Sequence, residues 1–327
     1  IMIMIIIHAL DDFPLLEKTM NCGYLFRAAM ALLVITGLVA CDQQATSQQT
    51  EQAEPKQLVV YTARKEHLIK PLFDRYTELT GVNIRYITDA AGPLLARLQA
   101  EGSNSPADIL MTVDAGNLWQ AAQAGILQPV ESEVLAASVP ANLQDADKQW
   151  YALTIRARTI VYSTDRIQPE QLSTYEALAD PEWQGRVCLR TSKKVYNQSL
   201  IATMIAAQGE AATEAVVSGW VANLAMPPFS NDTKAMEAIV AGQCDVAIVN
   251  TYYFGRLQNQ QPDVKLALFW PNQQGDEAAG RGVHVNISGA GVTKASKNKA
   301  EAQKLLEWLV SAEAQQQLMS LNMEYPV

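Results

Sequence analysis

Tyr252 and Tyr253 stand side by side, directly after the apolar run Asp245–Asn250 (DVAIVN). A strand ending there would deliver both phenols to its tip. Tyrosines at strand ends are most often half-buried packing residues whose hydroxyls find water or a partner. Two in succession, opening a helix at the edge of a cleft, offer more specific chemistry. A phenolate is a hard anionic oxygen donor. A hard trivalent cation such as Fe(III) selects such donors and lowers the phenol pKa enough to ionise it at neutral pH. Divalent transition metals prefer imidazole and thiolate, and after residue 57 the chain has histidine only at His67 and His284. Motifs for enzyme chemistry are missing: there is no GxSxG elbow, P-loop or HExxH, and no GxGxxG between a strand and a helix. A hydrolase or transferase using His67 and a carboxylate would lack a paired nucleophile.

The elements that must position these groups alternate. Leu58–Tyr61 reads as a short strand ending in Thr62-Ala63-Arg64, followed by an amphipathic helix over His67–Thr80 that Gly81 stops. Strands at Val82–Ile87 and Asp108–Val113 and helices at Pro93–Glu101 and Trp119–Ala124 continue a β-α-β-α-β-α order, which implies a parallel sheet covered by helices. The second half repeats the logic, with strands at Thr159–Tyr162, Arg186–Leu189, Asp245–Asn250 and Lys265–Phe269. Its helices fall at Gln198–Gln208, Ala211–Ala222, Thr233–Ala241 and Tyr253–Gln258, and residues 299–319 form a helical region broken near Ser311. The expectation is an α/β chain with two sheets and a ligand cleft between two lobes, at the carboxyl ends of strands.

Several stretches taken together resemble the periplasmic ferric-ion-binding proteins of ABC importers. They are Asn250-Thr251-Tyr252-Tyr253-Phe254-Gly255-Arg256-Leu257, Val60-Tyr61-Thr62-Ala63-Arg64 and Arg156-Ala157-Arg158-Thr159-Ile160-Val161-Tyr162. Tyr196-Asn197 with Ser199-Leu200, and His284 to Val292 (HVNISGAGV), complete the set. The resemblance covers residues 57–327 and implies the two-lobed type II periplasmic-binding-protein fold, a monomer, Fe(3+) as ligand and an ABC-importer permease as partner. By position it implies Tyr252 and Tyr253 as paired ligands, Tyr162 as a third, and a fourth from the loop after the first strand, His67 with Glu66 as the alternative. Arg64, Arg156 and Arg158 would hold a synergistic anion such as carbonate, steady the phenolates, or form structural ion pairs. His284 is expected to be a core or lobe-crossing histidine, and Tyr61 to line the cleft. Lobe 1 is expected over 58–157, with part of 283–327 returning to it, and lobe 2 over 158–282. The same architecture with an oxyanion or organic cation as ligand is the alternative. The stretch Glu324-Tyr325-Pro326-Val327 ends the sequence where family members usually continue, so a truncated C-terminus is expected, with the final packing there left open.

Composition fits this class. The chain has 327 residues, 49% hydrophobic and 18% charged, with a net charge of −9, which argues against nucleic acid as a partner. Leu25–Ala40 is an apolar stretch of signal-peptide length, and Leu38-Val39-Ala40-Cys41 resembles the lipobox of bacterial lipoproteins. Residues 1–41 then form the leader, with 1–19 an upstream translation artefact before Met20, and Cys41 carries the lipid. Asp42 after it implies retention at the inner membrane, hence a periplasmic protein held to the membrane through lipid alone. Residues 42–57, rich in Gln, Thr and Ser, read as a flexible tether. Cys188 and Cys244 remain, a disulfide candidate in an exported domain or two buried thiols.

Overall fold

Short apolar strands separated by amphipathic helices build most of the chain; the computed structural model describes residues 56–275 and 280–327. In chain order the first elements are β1 (Gln57–Thr62), α1 (Glu66–Thr80), β2 (Asn83–Thr88), α2 (Ala91–Glu101), β3 (Ile109–Thr112), α3 (Ala115–Gln123) and α4 (Glu133–Ser138). Then come β4 (Tyr151–Ser163), β5 (Val187–Cys188), α5 (Val195–Gln208), α6 (Glu210–Ala222), α7 (Asp232–Val240), β6 (Val246–Asn250) and α8 (Thr251–Gln260). The last are β7 (Leu266–Phe269), β8 (His284–Val292), α9 (Lys299–Leu309) and α10 (Ala312–Asn322). The local reasons are those of the sequence. On α1, Ile69, Leu72, Phe73 and Tyr76 recur at helical spacing and are buried, and Gly81, at φ +72°, ends the helix by donating to the Thr77 carbonyl. Ser311 separates α9 from α10 by accepting from the Ala314 N–H as an N-cap.

The strands form one sheet in the order β2-β1-β3-β8-β4-β6-β5, with β7 also beside β4. β1 is parallel to β2 and β3, as expected, whereas β8 is antiparallel to β3 and β4, and β4 is antiparallel to β6 and β7. Two separate sheets were expected; the long strands β4 and β8 join them into one. Each passes between two apolar cores. Tyr151 and Leu153 of β4 pack with Leu58, Ile109, Ile287, Leu305 and Leu318 in the first. Ile160 and Tyr162 pack with Trp183, Trp220, Val246 and Ile248 in the second, which Val161, Met236, Ile239 and Phe254 extend on the other face. Between them, the middle of β4 buries mainly polar groups, Thr154, Arg156, Arg158 and Thr159. Alternation along a strand puts Thr154, Arg156 and Arg158 on one face.

Cys188 on β5 and Cys244 just before β6 are joined as a disulfide within the second core. At the other end, Tyr325 exchanges backbone hydrogen bonds of 2.7 and 2.8 Å with Ile155 in the middle of β4, so residues 324–327 pack against the crossing strand. Cys41, the leader and most of the tether lie outside the described residues. Among the described residues, no helix is long and apolar enough to cross a membrane.

Candidate functional site

Three helices begin at the carboxyl ends of β1, β5 and β6, and their first turns line a pocket of about 170 Å³. α1 brings His67, α5 brings Tyr196, and α8 brings Tyr252 and Tyr253. β4 adds Arg156 from its polar middle, and the loop after β1 adds Arg64. Lys65, Lys194 and Asn250, which precede these helices, make no side-chain cap, so the first-turn N–H groups are left to other acceptors. Among the described residues, no three His, Cys, Asp or Glu side chains gather to hold a metal ion. A metal in this pocket would draw on phenols.

The phenols are tightly grouped. The rings of Tyr252 and Tyr253 lie 4.4 Å apart, centroid to centroid. The Asn250 side-chain N–H donates to the Tyr252 hydroxyl at 3.1 Å. Guanidinium groups cover the rings: Arg256 lies 5.0 Å over Tyr252, and Arg190 and Arg156 lie 5.0 and 5.5 Å over Tyr196. Burial pushes the Tyr252 phenol well above its ordinary range, and the neighbouring Tyr196 and Tyr253 push it the same way. Without a cation in the pocket, Tyr252 therefore keeps its proton at neutral pH. Arg64 pairs with Glu324 at 2.8 Å, both side chains buried. Burial works to raise the Glu324 pKa, and Arg64 and Arg156 outweigh it, so this carboxylate stays ionised.

Of the residues singled out in the sequence, Tyr252, Tyr253, His67, Arg64 and Arg156 meet in this pocket. Glu66 does not line it, and instead accepts from the Tyr86 hydroxyl at 3.0 Å. Tyr162 is not brought in: it packs in the second core, paired with Val246 at the far end of β6 from Tyr252. It lies six residues beyond Arg156 on β4, roughly 20 Å at strand rise. Arg158 is a structural pairing, bound to Asp232 at 3.1 Å, to the Asn197 and Asn250 side chains and to the Ile248 carbonyl. Tyr61 is buried in a separate apolar cluster and donates to Glu101 at 2.9 Å, so it does not line the cleft. His284 meets Ser199 at 3.1 Å and Thr203 at 2.9 Å; burial and then Arg158 lower its pKa to about 4, as suits a neutral core histidine. The residue missed as a candidate ligand is Tyr196. Its place next to Asn197, at the start of a helix following a strand, was the available signal.

Residues 104–327 match the family described as bacterial extracellular solute-binding protein. The chain is 44% identical over 280 residues to Iron uptake protein A1 of Synechocystis sp., covering 84% of this chain and 76% of that protein. Among solved structures, Trichodesmium IdiA (FutA) in complex with iron and citrate superposes with a TM-score of 0.76 at 43% identity, over 83% of this chain and 86% of that one. Apo FutA2 from Synechocystis superposes equally well, with a TM-score of 0.76 at 45% identity over 84% and 86% of the two chains.

Proposed function

The chain belongs to the bacterial extracellular solute-binding proteins, among the periplasmic ferric-ion-binding members, and we propose that it captures Fe(III) between two lobes and delivers it to an ABC importer. The observation that carries this reading is the meeting of three phenols, Tyr196, Tyr252 and Tyr253, in one pocket with His67. Three phenolates balance the charge of a ferric ion, and as hard oxygen donors they select it over softer divalent ions. His67, from the first turn of α1, is the fourth ligand. Arg156 and the open first turns of α1, α5 and α8 suit a synergistic anion such as carbonate completing the coordination. Arg64, already neutralised by Glu324, contributes less to it.

Lobe 1 comprises 58–157 with the returning part of 283–327, and lobe 2 comprises 158–282. Iron bridging His67 and the tyrosines shifts the pair of lobes towards closure, and the closed form docks on the permease. Release follows reprotonation of the ligands, reduction of the iron or forced opening. The protein acts as a monomeric carrier and not as an enzyme, tethered by lipid on Cys41 to the periplasmic face of the inner membrane. The test is a visible-light titration of the chelator-stripped domain with ferric citrate. A phenolate-to-iron charge-transfer band saturating at one equivalent is expected. A colourless endpoint without competition against citrate would transfer the site to an oxyanion or organic cation.

A further inference from the structure

Asp232 opens α7 with no exposed surface, and its carboxylate is approached from three sides. Arg158 donates to it at 3.1 Å, Arg190 at 3.3 Å and the backbone N–H of Asn250 at 3.0 Å. Both arginines are buried too. Removing three charges from water offsets much of their attraction, so such a cluster is weak evidence for stability. What it does supply is fixed geometry, and its three arms lead to the pocket. Asn250 donates through its side chain to the Tyr252 hydroxyl at 3.1 Å. Arg190 lies 5.0 Å over the Tyr196 ring, and the Tyr253 ring packs against that of Tyr252 with centroids 4.4 Å apart. Arg158 donates at 2.6 and 3.0 Å to the side chain of Asn197, the neighbour of Tyr196, and Asn197 donates at 2.9 Å to the Arg190 carbonyl. Asp232 itself does not line the pocket.

We propose that Asp232 is the positioning residue of the metal site, fixing the three phenols relative to one another through Arg190, Asn250 and Arg158. This rests on the ferric reading above. The phenols come from two helices, α5 and α8, and α7 carries the group that ties those helices together. A ferric ion gains most from donors already held at its coordination distances. The energy of a phenolate-to-iron band also depends on how each oxygen meets the metal, so displaced phenols change the colour as well as the affinity.

The experiment compares the wild-type chain with Asp232→Asn, using ferric citrate competition and the visible spectrum. A control, Asn223→Ala, removes buried hydrogen bonds to the Leu178 and Asp180 carbonyls in the second core, away from the pocket. Asp232→Asn should lose tenfold or more in iron affinity and shift the band maximum, while Asn223→Ala keeps both at wild-type values. If Asp232→Asn does not fold, Arg190→Lys decides: it keeps the charge facing Asp232 but loses the planar stack on Tyr196, and should shift the band and weaken binding several-fold. Wild-type colour and affinity in the variant that decides overturns the proposal, as does an equal loss in the control. A wild-type chain that gives no band overturns the ferric reading and this proposal with it.

Discussion

A phenol must release its proton before its oxygen binds a metal at full strength, and Tyr252 holds that proton more tightly than a free phenol. Ferric affinity should therefore fall as pH falls, by about tenfold per pH unit for each phenol proton displaced. Citrate competition between pH 6 and 8, corrected for citrate's own protonation, measures it; a flat profile would mean that no phenol proton leaves. Tyr252→Phe with Tyr253→Phe should abolish tight binding and the charge-transfer band, and undiminished affinity in that double variant would sink the assignment. Tyr196→Phe should weaken both, while Tyr162→Phe should leave both unchanged. The contrast between Tyr196 and Tyr162 shows what a sequence conceals at this scale. Tyr162 ends a clear strand pattern, T-I-V-Y, and so looks like a residue at a strand tip. It shares its strand face with Ile160, and that far along β4 the face packs in the second core. Tyr196 follows the polar loop Thr191-Ser192-Lys193-Lys194, where no periodicity marks a site. Tyr252 and Tyr253 stand out as candidates because a strand pattern ends just before them, whereas His67, with Glu66 as its alternative, comes only from the family resemblance.

Most elements follow from their local pattern, but β8 does not, because Ser288-Gly289-Ala290-Gly291 has none of the β-branched residues that usually signal a strand. Small residues are required there by close packing. A Cβ on Gly289 would stand 2.6 Å from the Tyr151 carbonyl oxygen and 2.8 Å from Leu118. Gly289→Ala should cost about 1–3 kcal/mol, the usual penalty for overpacking, read as a lower urea midpoint with unchanged slope. At its other end β8 carries His284 into contact with α5. Its folded pKa of about 4 lies below the unfolded value of 6.5, so the folded state favours the neutral ring. The stabilisation is fully present above pH 6.5 and is lost as pH falls towards 4. At about 1.4 kcal/mol per pKa unit it amounts to at most about 3–4 kcal/mol. In His284→Gln, the decline in stability between pH 6.5 and 4.5 should be correspondingly shallower in urea titrations; an unchanged slope would place the acid sensitivity elsewhere.

At the scale of the whole molecule, the proposed lobe movement would run through β4 and β8. Between the two cores these strands are antiparallel neighbours, paired from Tyr151–Ala290 to Arg158–His284. Both were read as short or as loops from the sequence, since the polar middle of β4, Thr154 to Thr159, interrupts its apolar pattern. The proposed hinge falls at that interruption. The backbone stays paired there, yet Thr154, Arg156 and Arg158 are held by polar contacts and not in an apolar core, with Arg156 lining the pocket, so rotating one core against the other breaks little apolar packing. α8 also meets α10 directly: the Arg256 guanidinium donates to the Asn322 carbonyl at 3.3 Å. If iron is held by His67 on one side of the strands and by Tyr196, Tyr252 and Tyr253 on the other, it adds strong bonds across the hinge that the empty protein lacks. A ligand shifts such an equilibrium only by its differential affinity for the two states, and a ferric ion bonded from both sides binds the closed state far better. Small-angle scattering should therefore show a fall in radius of gyration when one equivalent of ferric citrate is added at neutral pH. His67→Ala should bind iron through the tyrosines, keep the band, and lose most of that compaction. If the variant compacts as fully as the wild type, closure is driven from the tyrosine side and by any bound anion, and His67 is not the bridging ligand.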